Sequence, residues 1–302
     1  MIHGLLLINK PSGVSSHDVV ESVRKLFRMK KVGHFGTLDP LAKGLLIIGM
    51  GNATKFFDFY LKKRKIYSGH VTFGYATATY DSEGDPISEK KFIDLNSVDI
   101  PGLLKMFTGK LLQTPPLYSA KKYKGKPMYQ YARENKENQV EIKPSQVEIY
   151  SLEARIIDPN TLWFRAETSS GTYIRSLAHD MGQKLQVGAF LKELIREGVG
   201  EFLLDKAYTL DQVAIAVESG DISRVVFPIE GLLPEFPKII VSPGARFSVL
   251  NGKAILPGDV LKIITGNDKD FFRIFDDEGK LLAISTKDPK LMRFNPFIVF
   301  NN

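Results

Sequence analysis

The first half of the chain contains several short apolar runs, and a long amphipathic segment lies between the first two of them. Continuous or alternating apolar residues predict strands over 3–9, 45–50 and 65–74. A helix is predicted between the first two strands, because its apolar residues recur on one helical face: Val19, Val20, Val23, Leu26 and Phe27. The spacing of apolar residues also predicts two further helices, over 53–60 and 92–112.

The second half begins with a predicted hairpin and ends in a series of short strands. Residues 147–157 and 161–168 flank a turn at 158–160 that contains proline, which is typical of a β-hairpin. Three helices are then predicted, over 174–185, 189–197 and 209–219. Beyond a proline-containing linker at 227–237, apolar runs separated by glycines and charged turns predict a small barrel: 239–241, 260–265, 271–275, 281–285 and 297–300.

These elements predict two domains, with one insertion. The change of pattern near residue 234 separates residues 1–233 from residues 234–302, and 302 residues are enough for two cores. The segment at about 112–145 has too little apolar content to form a core element. We expect it to protrude as a basic loop carrying one short helix over 129–135.

Composition excludes several classes of protein. Hydrophobic residues make up 43% and charged residues 25%, as in ordinary soluble globular domains. The chain has no Cys, and its five His lack a zinc-binding spacing, so we expect neither disulfides nor a metal site. The apolar run at 5–8 is too short for a signal peptide, and no segment is long enough to span a membrane. We therefore expect a cytoplasmic protein with no membrane contact.

The distribution of positive charge gives information about the binding partner. The net charge is +7, and the basic residues are concentrated in a few runs. Residues 55–65 and 110–143 are rich in lysine, and aromatic residues lie within both runs. A solvated protein face is the simplest explanation for one such run. Their combination with aromatic residues favours a polyanion with stackable bases, which indicates a nucleic acid.

The strongest chemical signal is one carboxylate, Asp39, in the glycine-rich stretch 33–44. Pro40 disfavours a helical backbone at Asp39, and the glycines permit backbone angles that other residues avoid. An Asp before Pro is most often a turn former. Here the stretch lies between a basic helix end and the apolar strand 45–50, which indicates an acid at the mouth of a basic groove.

The residues around Asp39 resemble the signature of the TruB family of tRNA pseudouridine synthases. The matching pattern is G-H-x-G-T-L-D-P-x-A-x-G over residues 33–44. The resemblance implies that Asp39 is the catalytic nucleophile and that His34 fills the space left by a displaced base, with a purely structural histidine as the alternative. N-K-P-x-G near the start also resembles the family, and it implies that Lys10 supports the substrate-binding region.

Two further motifs extend the resemblance beyond the Asp39 loop. K-x-Y at the head of the 65–74 strand resembles the family's second motif and implies that Tyr67 packs against the target base. S-x-G-T-Y-I-R resembles the third motif, which implies that Arg175 pairs with Asp39 and that Tyr173 lines the same pocket. An Arg partner is expected to lower the pKa of a nearby Asp by roughly 1–3 units.

The remaining matches concern contacts to the substrate. By resemblance, Asp81 in the acidic loop 79–85 lies beside the active site. P-P-x-x-S-A-x-K places Lys121 and Lys122 at the start of the insertion, which in the family closes on the RNA. A functionless insertion is the alternative for this segment.

The resemblance implies a fold, a reaction and a partner. The fold would be α+β, a pseudouridine-synthase-type catalytic domain with a mixed, largely antiparallel sheet in residues 1–233. P-G-D-V at 257–260 and G-K-L-L-A-I at 279–284 resemble a PUA domain, an RNA-binding barrel, which would comprise residues 234–302. The reaction would convert uridine 55 in the T loop of tRNA to pseudouridine after base flipping, with no metal or organic cofactor. We expect a monomer that binds the tRNA T stem-loop and needs no obligatory protein partner.

Two other functions fit part of this pattern. An RNA-binding or RNA-folding module without chemistry would not need the Asp39–Arg175 pair. A guide-RNA-dependent relative shares the catalytic core, but we expect longer termini there. Glu197 departs from the family's pattern around Arg196, so we do not assign Arg196 to RNA.

Overall fold

The computed structural model describes residues 2–119, 121–134, 136–268, 270–288 and 290–301. Its strands are β1 (Gly4–Lys10), β2 (Val32–His34), β3 (Lys43–Met50), β4 (Lys65–Phe73), β5 (Gly109–Gln113), β6 (Lys122–Tyr123), β7 (Lys126–Pro127), β8 (Ser145–Asp158), β9 (Thr161–Thr168), β10 (Ala189–Val199), β11 (Phe202–Leu203), β12 (Val226–Pro228), β13 (Lys238–Val241), β14 (Val260–Ile264), β15 (Phe271–Phe275), β16 (Leu281–Asp288) and β17 (Arg293–Val299). Its α-helices are α1 (Ser16–Phe27), α2 (Phe57–Lys62), α3 (Ile100–Met106), α4 (Met128–Arg133), α5 (Ile174–Lys184), α6 (Leu210–Glu218) and α7 (Pro243–Leu250).

A single large sheet forms the centre of the molecule. Its main path runs β12-β1-β3-β10-β4-β9-β8-β5, with β2 paired to β3 and β11 paired to β10. Neighbouring strands are antiparallel except for β10 and β3, which are parallel. The predicted α+β class with a mixed, largely antiparallel sheet is therefore confirmed. None of the helices in the described part of the chain is long and apolar enough to cross a lipid bilayer.

Helices cover one face of this sheet because their apolar stripes match the inward side chains of the strands. Val19 and Val23 of α1 pack in the same core as Ile48 of β3 and Leu177 of α5. Helix α1 begins at Ser16, and Ser15 caps it in a capping box. The core thus fixes α1 and α5 next to the loop between β2 and β3.

A second sheet follows in the order β14-β13-β15-β16-β17. The predicted C-terminal strands are confirmed, while α7, which packs on β16 and β17, was missed. Among the described residues no ladder joins β14 to β17, so the strands form an open path. The predicted small barrel is therefore not confirmed by the strand pairing of the described residues.

The second sheet packs closely against the first through aromatic side chains. Phe56 stacks on Phe300 with ring centroids 5.1 Å apart, and the Asn52 amide donates to the Asn301 carbonyl at 3.0 Å.

The predicted linker at 227–237 is also partly structured, because β12 pairs with β1.

Two predicted helices prove to be strands, wholly or in part. Residues 189–197 belong to β10, whose bulges at 191–193 and 196–198 shift the alternation of apolar residues. The shifted pattern imitates helical periodicity. Within 92–112 only α3 is α-helical, and after Gly109, at φ +94°, the chain continues as β5.

Candidate active site

The Asp39 loop has an irregular backbone whose polar groups are held on both sides of the carboxylate. The Ser16 hydroxyl at the start of α1 donates to the Leu38 carbonyl at 2.9 Å and accepts from the Leu38 amide at 2.8 Å. Beyond Asp39, the Lys10 ammonium donates to the Pro40 carbonyl at 3.3 Å. These bonds set the position of Asp39 whether or not its own side chain has a partner.

A buried arginine on β10 holds the beginning of the same loop. Arg196 is 1% exposed, and its guanidinium donates to the carbonyls of Gly36 at 3.0 Å, Thr37 at 3.3 Å and Leu45 at 2.8 Å. Burial lowers the pKa of Arg196 from its usual value, and the adjacent Tyr67 opposes this shift. The planar guanidinium has enough donors to join three carbonyls at once, which an ammonium group would do less well.

Close packing of the loop on β10 explains one of its glycines. Gly44 has φ +106°, and a Cβ atom there would lie 2.4 Å from the Arg196 carbonyl oxygen. Any other residue at this position would be strained and would also push the two strands apart. The glycine therefore allows Arg196 to approach the Asp39 loop.

Arg175, in the first turn of α5, connects two carboxylates. Its Nε lies 2.9 Å from Asp39 Oδ2, and its Nη1 lies 3.5 Å from Asp81 Oδ2. Nη1 also donates to the Thr79 carbonyl at 3.2 Å, and Nη2 donates to the Tyr118 carbonyl at 2.9 Å. Two carbonyls and the Asp81 carboxylate thus hold the guanidinium, while its Nε points toward Asp39.

The pKa of Asp39 is raised above its ordinary value. Removal from water raises it, and the like charge of Asp81 adds to the effect, whereas Arg175 lowers it without compensating fully. The lowering expected from the Arg partner is present, but burial outweighs it. Asp39 keeps 37% of its side chain accessible, against 4% for Asp81. A carboxylate that is partly accessible and lies beside a guanidinium can reach a bound substrate once it is ionised.

Asp39 opens into a cleft of about 450 Å³ between the loop, β4, β10 and the start of α5. The cleft is lined by Gly36, Thr37, Leu38, Asp39, Leu61, Lys65, Tyr67, Lys121, Ser169, Gly171, Thr172, Tyr173, Ile174, Arg175, Leu194 and Arg196. The structure therefore brings together five of the nine site residues that the sequence predicts: Asp39, Tyr67, Lys121, Tyr173 and Arg175. Asp81 does not line the cleft, but its carboxylate contacts Arg175, which does.

The other three predicted residues lie outside the cleft lining. Lys10 is fully buried behind the loop, and burial lowers its pKa to about 8. His34 is half-buried at the end of β2, and its Nδ1 has no hydrogen-bond partner among the described residues. Lys122 is exposed on β6, next to Lys121.

Two residues of the site were missed by the sequence analysis. Arg196 was not assigned because Glu197 departs from the family pattern, and the segment was predicted to be a helix. A strand assignment would have placed Arg196 and Glu197 on opposite faces, since Glu197 pairs with Arg165 on the outer surface. Lys65 lines the cleft, donates to the Leu61 carbonyl at 2.5 Å, and has a pKa lowered by burial to about 8.

The arrangement as a whole can hold a planar base and attack it or its sugar. Tyr67 and Tyr173 present aromatic rings to the cleft, Lys121 stands at its rim, and Asp39 presents a carboxylate oxygen beside a guanidinium. Aromatic rings with nearby cations are the usual means of binding an unstacked base. The cleft therefore combines aromatic walls for an unstacked base with a carboxylate that faces it.

Comparison with known proteins identifies the family. Residues 24–174 match the model of the TruB family pseudouridylate synthase N-terminal domain. Residues 175–234 match the tRNA pseudouridylate synthase B C-terminal domain. The two matches meet between Ile174 and Arg175, so they include Asp39, Tyr67 and Arg175.

Curated relatives resemble almost the whole chain. A tRNA pseudouridine synthase B from Solibacter usitatus is 43% identical over 83% of this chain and 85% of its own length. The proteins of the same name from Thermotoga petrophila and Bacillus subtilis are 38% and 36% identical, over 94% and 96% of this chain and 90% and 94% of their own lengths.

Solved structures support the fold. A chain from an H/ACA ribonucleoprotein bound to a substrate RNA containing 2′-deoxyuridine superposes with a TM-score of 0.75 at 22% identity. The match covers 99% of this chain and 85% of that one. The same fold therefore occurs in both groups of proteins. Together with the two domain matches and the curated relatives, these likenesses show that the chain belongs to the TruB family and is a pseudouridylate synthase.

Proposed function

We propose that this enzyme converts uridine 55 in the T loop of tRNA to pseudouridine. The single observation that carries the proposal is the Asp39–Arg175 pair, at 2.9 Å, at the opening of a cleft with aromatic walls. The relatives named tRNA pseudouridine synthase B, which this chain matches over most of its length, support tRNA as the substrate. The particular uridine rests on the resemblance of the motifs.

In the proposed mechanism the target uridine leaves the base stack and enters the cleft, at a cost of about a few kcal/mol. Asp39 attacks the ribose carbon as nucleophile, so that an ester bond forms while the bond from this carbon to the base nitrogen breaks. The base, held against Tyr67, turns, and its carbon 5 displaces the Asp39 carboxylate from the ribose carbon. Carbon 5 then loses its proton, and Asp39 is free again. Substrate and product are isomers, so the reaction consumes no cofactor. Arg175 keeps the Asp39 oxygen aimed at the substrate.

Positive charge near the cleft supports tRNA as the binding partner. Lys121 lines the cleft and Lys122 is exposed beside it, in the basic insertion at about 112–145. The short helix predicted in the insertion is present as α4, over Met128–Arg133. We propose that the insertion contacts the T stem-loop backbone and that the enzyme acts as a cytoplasmic monomer with no obligatory protein partner.

We further propose that residues 234–302 form a PUA-like unit that adds RNA affinity to the catalytic unit at 1–233. The change from the large sheet to the five-stranded sheet near residue 234 supports this boundary. The Phe56–Phe300 stack shows that the two sheets share a core. The second unit also contacts α2, because Phe59 packs edge-on against Phe271 with ring centroids 5.3 Å apart. Helix α2 leads into β4, which carries Lys65 and Tyr67 to the cleft.

The proposed function is tested with the purified chain and a tRNA transcript labelled with tritium at carbon 5 of uracil. We expect tritium release without added cofactor or protein. A transcript with cytidine at position 55 is the control, and it should release none. Equal release from both transcripts would overturn the assignment to uridine 55, and release from neither would overturn the proposed activity.

The raised pKa of Asp39 predicts how activity depends on pH. Since Asp39 must be ionised to attack, activity should fall as the pH decreases through this raised pKa. Asp81→Asn removes a like charge, so the acid limb of the kcat profile should move to lower pH. Asp85→Asn, an exposed change in the same loop, should leave the limb in place. If the acid limb of the kcat profile of Asp81→Asn lay at the same pH as in wild type, or at a higher pH, the electrostatic explanation would be contradicted.

The basic insertion predicts the salt dependence of tRNA binding. In the double variant Lys121→Ala/Lys122→Ala, the slope of log affinity against log salt should decrease by roughly 0.7–0.9 for each phosphate that the protein no longer neutralises. Lys184→Ala, at the exposed end of α5, is the matched control and should keep the wild-type slope. Filter binding over a range of salt concentrations measures both. An unchanged slope in the double variant would mean that this part of the insertion is only a solvated loop.

A further inference from the structure

We propose that the stacked rings of Tyr80 and His179 position Asp81 and Arg175 for catalysis. Neither ring lines the cleft, so both are positioning residues rather than catalytic ones. The inference deepens the proposed function and rests on it for its kinetic test. It also makes a prediction that needs no substrate.

The backbone at Tyr80 has an unusual conformation. Its φ is +62°, in the left-handed region that residues with a Cβ atom rarely adopt. The Tyr80 amide donates to the Thr77 carbonyl at 3.2 Å, and the Tyr80 carbonyl accepts from the Leu191 amide at 2.9 Å. Such a conformation persists only where surrounding contacts maintain it.

The aromatic contact that maintains it comes from α5. The rings of Tyr80 and His179 lie 3.8 Å apart, centroid to centroid, and only 14° from parallel. His179 follows Arg175 by four residues on the same helix, so both side chains project from one face. The helix therefore contacts three successive loop residues: Arg175 binds the Thr79 carbonyl and the Asp81 carboxylate, and His179 stacks on the residue between them.

The turn at Tyr80 sets the direction of the second carboxylate. Asp81 Oδ1 accepts from the Thr79 hydroxyl and, at 3.1 Å, from the Glu83 amide, and this leaves Oδ2 toward Arg175. Relaxation of Tyr80 to an ordinary backbone angle would rotate the Thr79 carbonyl and Asp81 away from these partners. Arg175 would then lose two of the groups that hold it beside Asp39.

His179 contributes through the face of its ring. Its Nδ1 is buried with no hydrogen-bond partner among the described residues. Burial also lowers its pKa, so the ring is neutral at neutral pH. A benzene ring in the same place should therefore serve as well as the imidazole. The contact thus predicts which substitutions are tolerated.

The kinetic test compares ring removal with ring replacement. His179→Ala and Tyr80→Asn should each lower kcat about tenfold with little change in KM, because small misplacements of catalytic groups are costly. Asn tolerates a positive φ, so Tyr80→Asn removes the ring without straining the backbone. His179→Phe and Tyr80→Phe should restore kcat to within about twofold of wild type, since they keep the stack. Gln183→Ala, one turn further along α5 and exposed, is the control.

The second readout is hydrogen exchange of the Ser82 and Glu83 amides in the free enzyme. Both amides are hydrogen-bonded in this loop, to Leu191 and Asp81. Their exchange should accelerate in His179→Ala and return to the wild-type rate in His179→Phe. Because this measurement needs no RNA, it separates the inference from the proposed function: inactive wild-type enzyme would refute the function alone.

Specific outcomes would overturn the inference. One is wild-type kcat together with unchanged exchange in both ring-removal variants. Another is failure of the Phe variants to recover either quantity, which would show that the histidine or the tyrosine hydroxyl acts through its polar atoms. If His179→Ala does not fold, Tyr80→Asn and the two Phe variants decide the question.

Discussion

Replacement of Asp39 by Asn should abolish pseudouridine formation and leave tRNA affinity within about tenfold of wild type, a change of at most about 1.4 kcal/mol. The substitution keeps the size of the side chain but removes the nucleophilic oxygen and its charge. The loop keeps its shape, because Ser16 and Lys10 hold the backbone on either side of residue 39. Arg175 also stays in place, since Asp81 and two carbonyls still bind it.

Two measurements on the same preparation check this prediction. Tritium release gives turnover, and filter binding gives affinity for the unmodified transcript. Asp211→Asn, at an exposed position in α6, is the matched control and should retain both. Tritium release from Asp39→Asn at a rate close to wild type would show that Asp39 is only a turn former.

Replacement of Arg196 by Met should have the largest effect on stability. The variant leaves the carbonyls of Gly36, Thr37 and Leu45 without their buried donor, and each unsatisfied group costs about 1–3 kcal/mol. We expect the free energy of unfolding to fall by about 3–5 kcal/mol, near the lower end of the sum of the three costs. Turnover should fall at least about a hundredfold, because the Asp39 loop loses one of its attachments. Denaturant unfolding and the tritium assay measure the two effects.

Arg165→Met is the matched control for Arg196. Arg165 lies on the neighbouring outer surface, where its Nε contacts Glu197 Oε2 at 2.7 Å and its side chain is 43% exposed. Exposed ion pairs contribute about 0–1 kcal/mol, so this variant should unfold almost as wild type does. If both variants lost the same stability, the carbonyl contacts of Arg196 would be irrelevant and the loss would reflect any missing arginine.

Arg175 and Arg196 have different contacts at the candidate active site. Arg175 contacts the carboxylates and can respond to their charge, whereas Arg196 contacts the backbone of the loop that carries Asp39. Asp39→Asn should therefore separate chemistry from folding, and Arg196→Met should affect both. Comparing the two variants distinguishes loss of the nucleophile from loss of its placement.

The sequence by itself determined the local elements that depend on short-range patterns. The apolar stripe of α1, the β8–β9 hairpin around its proline turn and the glycine-rich loop at Asp39 were all predicted from neighbouring residues. The motifs that resemble the TruB family could be recognised for the same reason, because each is a compact run of residues. Five of the nine predicted site residues meet at one cleft.

Tertiary structure alone decided the features that depend on distant residues. Strand β10 was mistaken for a helix because two bulges shift its alternation, and only its pairing with β4 and β3 places Arg196 inside the core. The pKa of Asp39 likewise depends on burial and on Asp81, which is remote in sequence, as well as on Arg175. Packing of the C-terminal sheet against Phe56 could not be predicted either, since burial and dielectric environment arise only when separate segments come together.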